Sequence, residues 1–247
     1  SCVTGICKPA NRTGGLSSGP LPKIQMINEI GRRVMQGGSR RSAIYGSLNH
    51  QHADINEFLS AKDWDQMPVP GTDLSLSDLK AADFNWPAPM DMTNISVNYD
   101  DDWLLNYWRT GDVGEIFRKN VEQALRTAEP GFSFNFFDKR HETLRNACTE
   151  VTANNSLAPD GGDDSDVCNL GSINLANIDS IDELNRIVEL GTKFLVCGTL
   201  RADLPYEKVK RVREKNRRLG LGIMGIHEWL IQRGQRYEVT PELHRWL

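Results

Sequence analysis

The chain has 247 residues, with 29 Lys and Arg against 33 Asp and Glu and a formal net charge of −4. This length suits one large domain or two small ones and allows a sizeable core. No apolar run approaches the roughly 18 residues that a membrane span needs, and the first eight residues lack a secretory pattern. The near balance of charge argues against a broad nucleic-acid-binding surface. We therefore expect a globular protein with neither a membrane nor a nucleic acid as a direct partner.

The chain contains five cysteines, namely Cys2, Cys7, Cys148, Cys168 and Cys197. The number of cysteines is odd, and the chain is large enough to fold without disulfide bonds. Both facts argue against a secreted disulfide framework, and a cytoplasmic location is expected. A structural zinc site needs closely spaced ligand pairs, and the sequence has neither Cys-x-x-Cys nor His-x3-5-His. We predict no metal site.

Periodicity predicts short strands that alternate with helices. Apolar residues at helical spacing predict helices over residues 22–36, 54–62, 101–109, 113–128, 181–200, 220–233 and 243–247. Alternation predicts strands over 93–99 and 131–136, whereas 63–90 reads as irregular. The strand over 93–99 is expected to be half-buried, with Ile95 and Val97 on one side and Asn94, Ser96 and Asn98 on the other. An α/β fold follows from this order, and no domain boundary is apparent.

The first candidate site is the run Asn146-Ala147-Cys148-Thr149-Glu150. In an extended segment the side chains at i, i+2 and i+4 share one face. Asn146, Cys148 and Glu150 would then meet one ligand, with an amide to hold a hydroxyl, a thiol to react and a carboxylate to take a proton. A packed cysteine between exposed polar neighbours is the alternative, because free cysteine usually behaves as a small hydrophobe. The residues alone leave both interpretations open.

The neighbouring carboxylate also indicates what kind of thiol chemistry to expect. A nearby negative charge disfavours ionisation of a thiol, which argues against an ordinary thiolate nucleophile. The pattern is compatible with a thiol that donates and accepts a hydrogen atom.

A second cysteine opens the run Cys168-Asn169-Leu170-Gly171-Ser172-Ile173-Asn174-Leu175. Leu170, Ile173 and Leu175 predict a buried strand here, and a packing role for Cys168 is the simple alternative.

Two glycine-rich stretches are candidate nucleotide-binding loops. Backbone N–H groups in such loops can cradle phosphate, and guanidinium groups suit phosphate or base contacts. The first stretch lacks the Gly-Lys-Ser/Thr ending of a P-loop, and for either stretch a plain surface turn is the alternative. The candidate residues are Gly14, Gly15, Ser17, Gln36, Gly37, Gly38, Ser39, Arg40 and Arg41.

Taken together, these segments resemble the large, catalytic subunit of ribonucleotide reductases, in the order that family shows. Residues 13–20 resemble a loop near its allosteric effector, and 36–43 with 52–59 resemble its second specificity loop and the following helix. Residues 146–150 resemble its active-site motif, and 168–175 its strand with a redox cysteine. Residues 217–225 are similar to a later family helix.

The resemblance implies a fold and a reaction. The fold would be part of a ten-stranded α/β barrel, with residues 1–247 forming part of one catalytic domain truncated at both ends and Cys148 on a loop inside it. Cys148 would become a thiyl radical that takes the 3′ hydrogen of a ribonucleotide. Glu150 would deprotonate the 3′ hydroxyl, Asn146 would hydrogen-bond the ribose, and Cys168 would supply one of two electrons by forming a disulfide with a partner cysteine.

The resemblance also implies partners. ATP and deoxynucleotides would be effectors, and thioredoxin or glutaredoxin would reduce the disulfide. The radical source would be adenosylcobalamin or a metal-containing small subunit, and no cofactor-binding residues are identifiable in this segment. Cys2 and Cys7 match the family's partner cysteine poorly, so that cysteine and the remaining reductase segments are expected outside this chain. The 247 residues alone are expected to be inactive.

Two other functions stay open. The chain would be a nucleotide-binding piece of a split reductase without its own catalysis, or an unrelated α/β binding protein whose cysteines only pack.

Overall fold

The computed structural model describes residues 18–35, 38, 41–136, 145–151 and 166–247. The chain divides into two compact units, residues 1–152 and 153–247. Within the described ranges, every helix is too short or too polar to cross a bilayer.

The first unit is built on a three-stranded parallel sheet in the order β1-β2-β3. Its strands are β1 (Ile44–Asn49), β2 (Thr93–Tyr99) and β3 (Gly131–Phe134). The crossovers between the strands are helical, as parallel pairing requires. The helices are α1 (Leu21–Arg33), α2 (Ile55–Leu59), α3 (Leu76–Ala82), α4 (Asp101–Thr110) and α5 (Glu115–Thr127).

One face of this sheet forms the hydrophobic core of the unit. Successive side chains of a strand point to opposite faces, so Ile95, Val97 and Tyr99 of β2 share the apolar face. They pack with the fully buried Phe58 of α2 and with Ile24 of α1. The predicted strand over 93–99 is confirmed in its bounds.

The expectation that this strand is only half-buried is wrong. Ser96 and Asn98, on its polar side, are 2% and 3% exposed. β2 is the middle strand of the sheet, and the segment from Arg145 to Ala147 contacts this polar side through Ser133 and Asn94. Both faces are therefore covered.

A buried cluster of charges fixes α1 to the residues that precede β2. Asp91 accepts hydrogen bonds from Arg32 (2.5 and 2.7 Å) and from Lys80 (2.9 Å). Burial alone would raise the pKa of Asp91, but the hydrogen bonds from Arg32, Lys80 and Asn28 outweigh it and lower the pKa to about 2. The carboxylate thus stays ionised although its side chain is almost completely buried.

The stretch 63–90 is more regular than its composition predicts. It contains a short 3-10 helix, Trp64–Gln66, and α3. A capping box begins α3, because Ser75 Oγ accepts a hydrogen bond from Asp78 N (3.2 Å) and Asp78 Oδ2 accepts one from Ser75 N (2.7 Å).

The second unit contains a two-stranded parallel sheet formed by β4 (Asn169–Asn174) and β5 (Leu219–Met224). Its core combines Ile173, Leu175 and Leu184 with the buried side chains of Trp229 and Leu230. The helices are α6 (Ile181–Arg201), α7 (Glu207–Asn216), α8 (Ile226–Gln232) and α9 (Pro241–Trp246).

The single helix predicted over 220–233 is wrong, as is the assignment of 217–225 to a helix. Residues 219–224 are strand β5, and only the second half, α8, is helical. A short apolar run does not separate a buried strand from a buried helix by periodicity alone. Gly225, at φ +75°, adopts a left-handed conformation that divides the two elements.

Parts of the predicted core of this unit are also exposed. Leu170 is 64% exposed while Ile173 is buried, because residues three apart in a strand point to opposite faces. On α6, the apolar side chains of Leu184 and Leu195 are buried, whereas those of Val188 and Val196 are exposed.

Candidate active site

The Cys148 segment is a turn, and the extended conformation expected for 146–150 is wrong. Thr149 N donates to Asn146 O (3.0 Å), and Asn146 N donates to Val151 O (3.3 Å). These two bonds close the chain on itself, so the i, i+2, i+4 argument for a shared face does not apply. The Cys148 side chain is exposed at the tip of this turn.

The turn nevertheless brings the predicted amide and carboxylate together. Asn146 Nδ2 donates to Glu150 Oε1 (2.6 Å), and Asn146 Oδ1 accepts from Val151 N (3.0 Å). One hydrogen of the amide nitrogen remains available for a ligand. The exposed Cys148 thus lies between two polar side chains that contact each other.

The backbone of the turn is strained at Thr149. This residue has φ +71°, the left-handed region, where an L-residue other than glycine costs about 1–2 kcal/mol. For a β-branched residue this conformation is unusual, and it persists only when the surrounding contacts enforce it.

Three hydrogen bonds, made by Arg145 and Asn94, fasten the turn to the sheet of the first unit. Arg145 donates to Ser133 Oγ (2.8 Å) and to Phe134 O (3.1 Å), at the end of β3. Asn94 Nδ2, near the start of β2, donates to Ala147 O (2.5 Å). Alternation over 93–99 predicted Asn94 on the polar side of its strand, but no pattern in the sequence indicated a role for Asn94, Arg145 or Ser133 at the site.

The surface that carries the turn is the polar face of the sheet. Registered neighbours in the three strands share this face, and nearly all of them are polar: Tyr45, Ser47 and Asn49 in β1, Asn94, Ser96 and Asn98 in β2, and Gly131 and Ser133 in β3. Among the described residues, the buried Tyr45 Oη and Asn98 Nδ2 have no hydrogen-bond partner. Buried polar groups are normally paired, so these two atoms are candidates to contact a ligand.

Cys148 and Thr149 also line an open cleft of about 850 Å³, together with Lys62, Asn94 and Ser96. Lys62 donates to Thr93 O (2.9 Å) and forms an ion pair with Glu129. The thiol therefore borders a cleft near the start of β2 that is lined by both polar and apolar side chains.

Cys168 lies in the second unit, directly before β4, and is partly buried. The residues before it are held by Asp166, whose carboxylate accepts from Arg218 Nε (2.9 Å) and Asn216 Nδ2 (3.0 Å). On the other strand, a Cβ at Gly220 would lie 2.5 Å from Leu170 Cδ2 and 3.7 Å from Cys168 Sγ. A side chain at Gly220 would therefore displace the exposed Leu170 side chain, and it would lie in van der Waals contact with Cys168.

Most of the predicted effector-loop residues, Gly14, Gly15, Ser17, Gln36, Gly37, Ser39 and Arg40, lie outside the described residues, as do Cys2 and Cys7. Gly38 is exposed at φ +75°. The Arg41 guanidinium lies 4.8 Å from the centre of the Phe84 ring and donates to Asn85 Oδ1. Arg41 is thus held against the residues that follow α3.

Residues 7–85 and 98–243 match the family described as "Ribonucleotide reductase, barrel domain". The chain belongs to this family, and its parallel α/β architecture is part of the barrel fold that the resemblance implied. It is 28% identical over 226 residues to the vitamin B12-dependent ribonucleoside-diphosphate reductase of Thermoplasma acidophilum. The aligned region covers 89% of this chain and 29% of that protein.

Two further similarities concern a cyanobacterial relative and a solved structure. The chain is 23% identical over 267 residues to the ribonucleoside-diphosphate reductase subunit alpha of Synechocystis, covering 93% of this chain and 34% of the relative. It resembles the structure of the Actinobacillus ureae class Id ribonucleotide reductase alpha subunit with a TM-score of 0.47 and 20% identity, over 81% of this chain and 37% of that one. The chain therefore spans about a third of the length of these proteins.

Proposed function

We propose that this chain carries the catalytic cysteine of a ribonucleotide reductase. The main observation in support is the hydrogen bond between Asn146 and Glu150 (2.6 Å), the two residues that flank the exposed Cys148. Membership of the barrel-domain family supports it, and so does the polar face beside which the turn lies. The exposed position of Cys148 also argues against the alternative in which this cysteine only packs.

Each residue has a role in the proposed reaction. A thiyl radical at Cys148 takes the 3′ hydrogen atom of the ribonucleotide and becomes a thiol, and Glu150 accepts the proton of the 3′ hydroxyl. The 2′ hydroxyl leaves as water after taking up a proton. Cys168 and a partner cysteine supply two electrons and become a disulfide, and their two thiol hydrogens provide the proton of the leaving water and the new hydrogen on the 2′ carbon. Glu150 returns its proton to the 3′ oxygen, and the hydrogen atom finally returns from Cys148 to the 3′ carbon, which restores the thiyl radical.

The turn geometry suits this chemistry. Glu150 is exposed and accepts a hydrogen bond from Asn146, which restricts the orientation of its carboxylate. The free hydrogen of the Asn146 amide is available to a ribose hydroxyl. General-base catalysis requires this kind of reach between the carboxylate and the proton that it removes.

We propose adenosylcobalamin as the radical source, because the Thermoplasma relative is named as vitamin B12-dependent. A metal-containing small subunit is the other source that the family resemblance implies. Among the described residues, no group of three or more His, Cys, Asp or Glu is arranged to hold a metal ion.

The effectors, the reductant and the location remain predictions from the family resemblance. ATP and deoxynucleotides would act through the two glycine-rich stretches, residues 13–20 and 36–43. Thioredoxin or glutaredoxin would reduce the Cys168 disulfide, and the cytoplasm would be the location. One catalytic barrel domain that includes residues 1–247 and further reductase segments remains our proposal for the domain organisation.

The test is an activity assay of the full-length protein that contains this sequence. It is incubated with ribonucleoside di- or triphosphates and dithiothreitol, with adenosylcobalamin or with a radical-generating small subunit. We expect deoxyribonucleotide formation that depends on one of the two radical sources. Nucleotide binding without any product under either condition would favour the non-catalytic, nucleotide-binding alternative.

A further inference from the structure

The Cys148 turn needs external support to keep its shape. Its tip is exposed, and Thr149 occupies a left-handed conformation that costs about 1–2 kcal/mol. The bonds inside the turn are few, and the Asn146 side chain provides two of them. A reacting thiol must be held in one place, because a displacement of about 1 Å can cost about 100-fold in rate.

Asn94 provides support at the residue directly before the cysteine. Its amide donates to Ala147 O (2.5 Å), the carbonyl of the peptide bond that joins Ala147 to Cys148. Asn94 projects from β2, whose other side chains are buried in the sheet, so the donor is mounted on a rigid element. Asn94 lies outside the two ranges that match the family, and no role follows for it from that match.

A second contact, made by Arg145, holds the other end of the segment that Asn94 contacts. Arg145 fixes the entry to the turn at the end of β3, through the buried Ser133. Asn94 then fixes the chain two residues later, nearer the start of the neighbouring strand β2. The segment from Arg145 to Ala147 is therefore held at both ends across the polar face.

We propose that Asn94 is a positioning residue for Cys148. By holding the Ala147 carbonyl, it opposes relaxation of the strained turn and keeps the thiol above the polar face. Asn94 does not take part in bond making. This inference rests on the proposed function, because positioning matters for turnover only if Cys148 is the reacting thiol.

The variants that test this are Asn94→Ala and Asn94→Asp in the full-length enzyme. Alanine removes the donor, and aspartate keeps the shape but places a negative charge against a carbonyl oxygen. Asn94 is exposed, so neither change opens a core cavity. The matched control is Asn106→Ala, because Asn106 is also exposed and also donates to a backbone carbonyl, that of Asp112 (3.4 Å).

We expect both Asn94 variants to lower kcat by about 10- to 100-fold with KM little changed, and the control to match the wild type. Adding Thr149→Gly to Asn94→Ala should restore part of kcat. Glycine adopts φ > 0 without strain, so the turn keeps its conformation with less dependence on the hydrogen bond from Asn94. Unchanged kcat in the Asn94 variants would overturn the proposal. So would a rise in KM alone, which would make Asn94 a substrate contact.

A measurement that does not depend on turnover separates this proposal from the proposed function. Amide hydrogen exchange of residues 145–151 should accelerate in Asn94→Ala, at Thr149 N and Val151 N, whose acceptors both belong to Asn146. Faster exchange in Asn94→Ala would support the positioning role even if the wild type made no deoxynucleotide. The lack of product would then count against the proposed function alone. Unchanged exchange would reject the positioning role whatever the wild-type activity.

Discussion

The two faces of the β1-β2-β3 sheet serve different purposes although the same strands build them. The apolar face packs Ile95, Val97 and Tyr99 against helices and forms a closed core. The polar face carries Ser96 and Asn98, leaves the amide nitrogen of Asn98 unpaired, and is crossed by the Cys148 turn. Burial on one face stabilises the fold, and the other face, which gains little from apolar burial, carries the candidate site.

This comparison predicts which kind of damage each substitution does. Changes on the apolar side should lower the free energy of unfolding and leave the properties of the site intact in the folded fraction. Changes at the turn should lower turnover in a protein that stays folded.

The largest expected effect on the polar side, apart from loss of the thiol, is that of Glu150→Gln. Glutamine can still accept from Asn146 but cannot take a proton, so kcat should fall by about 10²–10⁴-fold with substrate binding nearly normal. Steady-state kinetics of the full-length enzyme measures this. Glu57→Gln, an exposed glutamate on α2, is the control. Weakened binding with an unchanged rate would mean that Glu150 only positions the sugar.

On the apolar side, Phe58→Ala should cost about 3–5 kcal/mol of unfolding free energy, because Phe58 is 0% exposed and its removal leaves a cavity. Urea denaturation monitors the loss. Leu125→Ala, at a side chain that is 84% exposed, should change stability by no more than about 0.5 kcal/mol. Equal losses in the two variants would contradict the core assignment.

The Asp91 cluster makes stability on the α1 side pH-dependent. The folded pKa of Asp91 is lowered to about 2, and the unfolded pKa is about 3.9. Its contribution is therefore fully present above about pH 4 and is lost as the pH falls toward 2. Thermal unfolding of the wild type and Asp91→Asn should differ most near neutral pH and converge in acid. A constant difference from pH 7 to pH 2 would show that the Asp91 charge does not matter.

The smallest expected effect on the overall rate is that of Arg41→Ala. Arg41 is held by Phe84 and Asn85, and the resemblance places it in a specificity loop. Its loss should change the ratio of reduced bases under different deoxynucleotide effectors by several-fold more than it changes the total rate. Competition assays with mixed substrates measure this ratio. A uniform loss across substrates and effectors would argue against a specificity role.

Local patterns in the sequence predicted the apolar side of the molecule better than the site. The strand over 93–99 was predicted correctly because alternation of Ile95 and Val97 with polar residues is a local signal. The Cys148 turn was not, because its shape depends on Asn94 and Ser133, which are distant in the sequence. Asn146 and Glu150 do contact each other, but they do so because the chain forms a turn. The same five residues fit either a turn or an extended segment, and the sequence does not distinguish the two.

The strand β5 was missed for a related reason. Its apolar residues and glycines fit either a strand or a helix, and pairing with β4 decides between them. Ser75 and Asp78 did carry a local signal for α3, since a Ser followed three residues later by an acidic residue is a helix start. That signal was obscured by the surrounding Pro and Asp residues.

The most direct test of the central claim compares two exposed cysteines, Cys148 and Cys197. Deoxynucleotide formation by the full-length enzyme is measured for Cys148→Ser and Cys197→Ser under identical conditions. A serine O–H bond is too strong to form the required radical, so we predict that Cys148→Ser abolishes turnover while Cys197→Ser retains it. Retention of more than a few per cent of activity in Cys148→Ser, a barrier increase of less than about 2 kcal/mol, would contradict the assignment of Cys148 as the reacting thiol.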